Sequence, residues 1–148
     1  MFSRKNLYSA ILVAFQFSCL GYLLLTGPVF VSQVGVLVAQ VSGLILLAWA
    51  VLSMNFETLN VFPVVRKSAK FVCRGPYRLI RHPMYLSLFL FFIPLIVVHF
   101  SWERLISLVV LFTVLVIKID FEEKLLQAKF PYYSTYREST YRFIPYIY

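Results

Sequence analysis

Two pairs of ionisable residues, Arg81-His82 and Glu122-Glu123, stand at the ends of two long apolar segments. These segments meet near Trp102, about twenty residues after His82 and about twenty residues before Glu122. If both segments are helices in an antiparallel hairpin, the two pairs lie at the same depth and are neighbours. A histidine and two carboxylates at one membrane boundary can bind a charged ligand, although such side chains also cap helix ends there. The spacing alone leaves both interpretations open.

The composition is that of a membrane protein. Of the 148 residues, 61% are hydrophobic and 14% are charged, whereas soluble domains average roughly 45–50% apolar and about 25% charged residues. No Asp, Glu, Lys or Arg occurs from Asn6 to Phe56, nor from His82 to Trp102. Since a transmembrane helix needs about twenty apolar residues, the first segment accommodates two spans and the second accommodates one. A soluble enzyme, a disordered tail and a disulfide scaffold are excluded.

The pattern therefore predicts an all-α integral membrane protein that forms a single domain, residues 1–148. Its four transmembrane helices are predicted at about residues 7–26, 33–54, 83–101 and 103–122. Gly27-Pro28 separates the first two helices, and Pro83 suits the first position of the third. The fourth helix is long enough to cross the membrane if the Lys118 side chain extends toward the surface.

Positive charge is concentrated on one side of this predicted arrangement. Twelve of the fourteen Lys and Arg residues fall in the N-terminus, the connector 55–81 and the C-terminal tail 123–148. The positive-inside rule thus predicts that both termini and the basic connector are cytoplasmic, in a multi-pass protein of a bacterial inner membrane or the endoplasmic reticulum. The net charge of +8 then indicates contact with anionic membrane lipids and not with nucleic acid.

Small residues recur at every fourth position in the first two spans. They are Ala10, Ala14 and Ser18 in the first span, and Gly35, Ala39 and Gly43 in the second. Such stripes allow membrane helices to approach closely, so we expect the two helices to pack together as a hairpin. A homodimer through the same faces is the alternative. The two cysteines predict neither a structural disulfide nor a metal site.

Two sequence blocks carry a more specific signal. The first, Gly75–Tyr85, has a Gly-Pro-Tyr turn and then Arg-His-Pro-Met-Tyr at the predicted start of the third helix. The second block, one hairpin later, consists of Glu122-Glu123, Leu126, Phe130, Tyr133, Tyr136 and Phe143-Ile144-Pro145. Together they resemble the isoprenylcysteine carboxyl methyltransferase family and its phospholipid-methylating relatives. These are integral membrane enzymes that use S-adenosylmethionine, and the resemblance covers roughly residues 60–145.

The resemblance implies a set of site residues for this co-substrate. A carboxylate such as Glu122 can pair with its ammonium group, and the helix N-terminus at His82 favours its carboxylate. The residues expected to bind S-adenosylmethionine are Ala69, Lys70, Phe71, Val72, Tyr77, His82, Pro83, Met84, Tyr85, Glu122 and Glu123. Adjacent helical residues point about 100° apart, so Glu123 is expected to orient the connector and not to share the bond of Glu122.

Acceptor recognition is assigned to two cations, Arg81 and Lys118. By its resemblance to the family, Lys118 matches a cation that holds the carboxylate of the acceptor. The methyl donor is already activated, so the protein has to align donor and acceptor and exclude water. A carboxylate acceptor needs no base, and no catalytic residue or metal is assigned. An amine or thiol acceptor would need a base, for which Glu123 and Asp120 are candidates.

The leading prediction is a membrane methyltransferase that acts on a lipidic or small acceptor, with O-methylation of an isoprenylcysteine-like carboxylate favoured. Two other classes stay open. A membrane sterol reductase that uses NADPH belongs to a similar class of helical bundle, but it would need a larger cofactor pocket and more helices. A membrane scaffold or subunit would use its basic cytoplasmic face to bind lipids or a partner, and it would tolerate replacement of His82 and Glu122.

Overall fold

The computed structural model describes residues 4–54 and 72–144, which form five α-helices and one 3₁₀ turn. The helices are α1 (Arg4–Leu25), α2 (Val34–Ser53), α3 (Pro83–Val98), α4 (Trp102–Lys129) and α5 (Tyr133–Glu138), and the 3₁₀ turn is Gly75–Arg78. Apart from an isolated bridge between Ile80 and Tyr141, no extended pairing occurs in this part of the chain. The predicted all-α class is confirmed.

Two helices are long and apolar enough to cross a membrane, over Leu7–Leu25 and Val34–Ser53. The apolar helix α3 is shorter, with sixteen residues. Helix α4 has twenty-eight residues and continues to Lys129, beyond the predicted end at 122. Its last two turns, residues 123–129, were predicted from the sequence to belong to the C-terminal tail. The four crossings and their orientation stay predictions.

The closest helix pairs are α2 with α3 and α1 with α4. The predicted packing of the small-residue stripes of α1 and α2 against each other is therefore wrong. The small-residue stripe of α2 packs against α3 instead. A Cβ atom on Gly43 would lie 2.9 Å from the carbonyl oxygen of Ser87 in α3. A Cβ atom on Gly35 would meet no atom within 4 Å. Only part of the stripe is thus used for close approach.

Helices α1 and α4 run antiparallel along one side of the bundle. The rings of Tyr8 and Phe121 meet edge to face at 5.7 Å near one end, and Ser107 donates to the carbonyl of Cys19 further along. The apolar core combines all four long helices, with Leu23 of α1, Val36 of α2, Leu95 of α3 and Leu115 of α4 among its buried residues. Packing of these helices fixes the relative depth of their ends.

The α3–α4 hairpin has a short turn with its own cap. Helix α3 ends at Val98, three residues before the predicted end, and Ser101 accepts a hydrogen bond from the Arg104 amide at the start of α4. A serine in this position satisfies a backbone donor that the helix leaves free. The turn lies near Trp102 as expected, so the hairpin returns the chain to the depth of His82.

The segment after α5 folds back onto the start of α3. The Arg81 amide donates to the Tyr141 carbonyl at 2.7 Å, and the Tyr141 amide donates to the Leu79 carbonyl at 2.9 Å. The His82 amide donates to the Arg142 carbonyl at 3.2 Å. We call residues 139–144 the return segment. It was predicted as tail, and it closes the polar end of the hairpin.

We predict that Gly43→Ala destabilises the protein while Gly35→Ala does not. Alanine favours a helix over glycine by roughly 1 kcal/mol, but at residue 43 the new methyl group would overlap the α3 backbone, and overpacking costs about 1–3 kcal/mol. Thermal unfolding in detergent measures the stability of both variants. The two variants carry the same Gly→Ala substitution at different positions of α2. Equal stability of the two variants would contradict the close α2–α3 packing.

Candidate active site at the polar end of the helical hairpin

The site begins with the chain entering α3. His82 is the N-cap residue and Pro83 follows at the first helical position. The amide that proline lacks would have no hydrogen-bond partner within the helix at this position. Both residues are buried. The imidazole of His82 stacks on the Tyr85 ring with their centres 5.6 Å apart and an interplanar angle of 6°. Stacking and burial hold both rings in a fixed orientation at the N-terminus of the helix.

The 3₁₀ turn attaches this entry segment to α2. Gly75 has a φ of 60°, which glycine adopts without strain. A Cβ atom there would also overlap the hydroxyl oxygen of Ser53, so the turn requires glycine for a second reason. Arg74 Nε donates to the Ser53 carbonyl at 2.9 Å, and the Tyr77 hydroxyl donates to the Met54 sulfur at 3.1 Å. The end of α2 thereby positions the start of α3.

Glu122 faces the two rings of α3. Its Oε1 accepts a hydrogen bond from the Tyr85 hydroxyl at 2.9 Å, and its Oε2 lies 3.8 Å from His82 Nδ1. The predicted proximity of the two ionisable pairs, forty residues apart in sequence, is therefore confirmed. Glu122 keeps one oxygen at a distance too long for a hydrogen bond to His82, so this carboxylate retains capacity for a ligand.

Glu123 has different partners. It forms a salt bridge with Arg81 Nε at 2.9 Å and another with Arg142 Nη2 at 3.1 Å, and its Oε1 lies 3.4 Å from His82 Nε2. The guanidinium of Arg137 stands at 4.0 Å. We call this group of Glu123, Arg81, His82, Arg142 and Arg137 the Glu123 network. It joins the start of α3, the end of α4, α5 and the return segment.

The surroundings of Glu123 make it a poor base. Burial alone would raise its pKa, but the hydrogen bonds and charges of His82 and Arg81 outweigh burial and lower the pKa of Glu123 to about 2. Asp120, the other base considered for an amine or thiol acceptor, forms a salt bridge with Arg142 at 2.8 Å. An efficient general base has a pKa near the working pH, so the geometry favours a reaction that needs none.

Arg81 is held by the return segment as well as by Glu123. Its Nη1 donates to the carbonyls of Arg137, at 2.8 Å, and of Thr140. These contacts tie Arg81 into the fold, and its predicted contact with an acceptor stays a prediction.

The other predicted acceptor residue, Lys118, is 2% exposed. Its ammonium donates to Gln16 Oε1 at 2.8 Å and lies 5.4 Å from the centre of the Tyr85 ring. Tyr85 thus contacts both Lys118 and Glu122, and it connects the predicted acceptor cation with the predicted donor carboxylate.

The remaining predicted residues lie around this centre or outside the described part of the chain. Tyr77 is buried, and burial together with Tyr136 and Glu122 raises the pKa of its phenol well above the usual value. Val72 and Met84 are half-buried on either side of the 3₁₀ turn. Ala69, Lys70 and Phe71 fall in residues 55–71, outside the described residues. The binding roles of all these residues stay predictions.

Sequence reasoning missed the contribution of the C-terminal residues. Arg137, Thr140 and Arg142 were placed in a basic tail, yet all three contact Glu123 or Arg81. A signal was present, because the chain has only six acidic residues against fourteen basic ones. Three of the six acids stand at 120–123, so nearby cations would be expected to gather there.

An apolar groove of about 550 Å³ adjoins the polar centre. It is lined by Ala39, Leu86, Phe89, Leu90, Ile93, Pro94, Phe112, Phe143 and Ile144. Leu86 directly follows Tyr85, and Phe143 directly follows Arg142, so the groove begins where the polar centre ends. Along α3 it extends from Leu86 to Pro94, about 12 Å at 1.5 Å per residue.

The fold and the site define an α-helical membrane protein with a charged centre at the ends of two helices and an apolar groove beside it. A family model described as phospholipid methyltransferase matches residues 31–132. The chain belongs to the phospholipid methyltransferase family, which is a family of membrane methyltransferases related to the isoprenylcysteine carboxyl methyltransferases. No curated protein matches the chain. Helix α1 up to Leu25 and the residues after 132 lie outside the matched region.

We predict that Glu123 makes the protein acid-sensitive. A glutamate with the ordinary pKa of 4.5 in the unfolded chain and about 2 in the folded protein stabilises the fold fully above pH 4.5. That stabilisation is lost as the pH falls toward 2. Glu123→Gln removes the carboxylate that pairs with the buried Arg81 guanidinium and should lower the free energy of unfolding at pH 7 by roughly 3–5 kcal/mol.

Thermal unfolding of wild type and Glu123→Gln, followed from pH 7 to pH 3, measures this dependence. The difference in unfolding free energy between wild type and Glu123→Gln should become smaller below pH 4.5. Glu138→Gln, in the exposed part of α5, is the control and should follow wild type throughout. If the loss of stability in Glu123→Gln is the same at every pH, the lowered pKa assigned to Glu123 is contradicted.

Proposed function

We propose that the protein is an S-adenosylmethionine-dependent methyltransferase that methylates a lipidic acceptor, with an isoprenylcysteine-like carboxylate favoured and its active site on the cytoplasmic side. The observation that carries this is the centre formed by His82, Tyr85 and Glu122, in which one carboxylate oxygen lies 3.8 Å from His82 and can accept a hydrogen bond from a cation at the start of α3. Membership of a methyltransferase family favours this reading over the reductase and the scaffold.

The residues present suit the donor. When bound, S-adenosylmethionine supplies a methyl group that is already activated on a sulfonium. Glu122 binds the ammonium group of the donor through its free oxygen. The dipole at the N-terminus of α3 favours the carboxylate of the donor. The stacked rings of His82 and Tyr85 present aromatic faces for the adenine or the sulfonium. No side chain has to move a proton when the acceptor is an ionised carboxylate.

The apolar groove supports a lipidic acceptor. Its lining is entirely apolar, and α2, α3, α4 and the return segment all contribute to it. A hydrocarbon chain in this groove places its polar end beside Tyr85 and Arg142, next to the donor centre. Binding of the chain also keeps donor and acceptor aligned, which is the main contribution that a protein makes to such a transfer. The donor enters from water, and the acceptor enters from the membrane.

We predict that Glu122→Gln weakens S-adenosylmethionine binding by roughly tenfold to a hundredfold, because a hydrogen-bonded charge pair is lost. Calorimetry on detergent-purified protein measures the dissociation constants, and His82→Ala tests the second member of the centre. The matched control is Glu103→Gln, the same change at the opposite end of α4, which should bind like wild type. Absence of binding by folded wild type would overturn the methyltransferase proposal, and NADPH binding would then favour the reductase.

We predict that Ala39→Phe impairs use of the acceptor without affecting the donor. A phenylalanine side chain at residue 39 fills part of the groove, so the KM for a farnesylated cysteine acceptor should rise about tenfold while S-adenosylmethionine binds normally. Val38→Phe, which introduces the same side chain at the neighbouring exposed position of α2, is the control. An unchanged KM in Ala39→Phe would show that the acceptor chain lies elsewhere.

A further inference from the structure

The ammonium of Lys118 is buried and forms no salt bridge with any carboxylate in the described part of the chain. The residue is 2% exposed, and in residues 7–54 and 72–144 no carboxylate lies within 4.0 Å of its Nζ. Glu122 is one turn further along α4, but its carboxylate is directed to Tyr85 and His82. Buried charges in proteins are normally paired, so this exception requires an explanation.

Helix α1 supplies the hydrogen-bond partner of Lys118. Gln16 is itself buried, at 7% exposed, and its Oε1 accepts from Lys118 Nζ at 2.8 Å. An ammonium has three donors and a glutamine oxygen is a neutral acceptor. Gln16 therefore fixes the position of the cation and contributes no negative charge of its own. A carboxylate in the place of Gln16 would have neutralised the cation.

We propose that Gln16 is a positioning residue for acceptor recognition, which holds the Lys118 ammonium beside Tyr85 so that it binds an anionic oxygen group of the acceptor. The acceptor itself supplies the missing counter-ion. Donor and acceptor then use separate charges, since Glu122 binds the cationic end of the donor and Lys118 binds the anion of the acceptor. This inference rests on the proposed function and extends the site to α1, outside the region that the family model matches.

The test compares three probes that share one hydrocarbon chain and differ in the polar end. They are S-farnesyl-N-acetylcysteine with a carboxylate, farnesyl phosphate with a phosphate, and farnesol without charge. Calorimetry in a neutral detergent measures their dissociation constants, with S-adenosylhomocysteine present so that no methyl group is transferred. The proteins are wild type, Gln16→Leu, Gln16→Glu and the control Gln40→Leu. Gln40 is a buried glutamine of α2 that donates to the Val29 carbonyl, away from Lys118.

Wild type should bind at least one anionic probe about tenfold more tightly than farnesol, because only an anionic probe forms a hydrogen bond between two charged groups with Lys118. Preference for the carboxylate indicates an acceptor of the prenyl-cysteine type, and preference for the phosphate indicates a phospholipid. Gln16→Leu should lose the preference because the cation is no longer fixed. Gln16→Glu keeps a polar partner for Lys118, so the variant should fold. It should also lose the anion preference, because its carboxylate pairs with Lys118. Gln40→Leu should keep the preference.

Equal binding of all three probes by wild type, or an anion preference that survives in both Gln16 variants, would overturn the inference. An equal loss in Gln40→Leu would also overturn it, because the effect would then be a general consequence of removing a buried amide. Failure of wild type to bind S-adenosylhomocysteine overturns the proposed function itself. Binding of that compound without any anion preference overturns only the role of Gln16.

Discussion

The polar end of this protein depends on one buried carboxylate, Glu123. The chain has fourteen basic residues and six acidic ones, so its cations repel one another wherever the fold brings them together. Glu123 compensates Arg81 and Arg142 directly, and these residues lie on the entry to α3 and on the return segment. Without that charge, the backbone segments that pair through Tyr141 would bring the guanidinium groups of Arg81 and Arg142 together with no carboxylate shared between them.

The adjacent carboxylates have different tasks because neighbouring helical residues point in different directions. Glu123 is 4% exposed and fully engaged in its network. Glu122 is held from one side by the Tyr85 hydroxyl and keeps an oxygen for a ligand. His82 lies between them, 3.4 Å from Glu123 and 3.8 Å from Glu122. Glu123 thus fixes His82, and His82 also faces Glu122, the carboxylate that we propose binds the donor.

Residue spacing was sufficient to predict the meeting of His82 with Glu122, because both residues stand about twenty residues from the turn near Trp102 and so lie at the same end of the hairpin. It was not sufficient for the helix pairing. The glycine stripe of α2 indicates close approach but not the partner, and Gly43 selects α3 through contacts with Ser87 that no local pattern encodes. The fold of the C-terminal residues was also missed. Arg142 reaches Glu123 because the return segment pairs with residues 79–82, and a short bridge of this kind has no periodic signature.

Contacts that depend on both helix pairs meet at Tyr85. The ring lies beside the Lys118 ammonium, which is fixed by Gln16 of α1, while the hydroxyl binds Glu122. Packing of α1 on α4 is what brings Gln16 to Lys118, and packing of α2 on α3 is what forms the groove that begins after Tyr85. One helix pair thus fixes the Lys118 ammonium and the other forms the apolar groove, and both features lie next to Tyr85. In a bundle where α1 packed on α2 instead, Gln16 would be withdrawn from Lys118, and the buried ammonium would have no partner to fix its position.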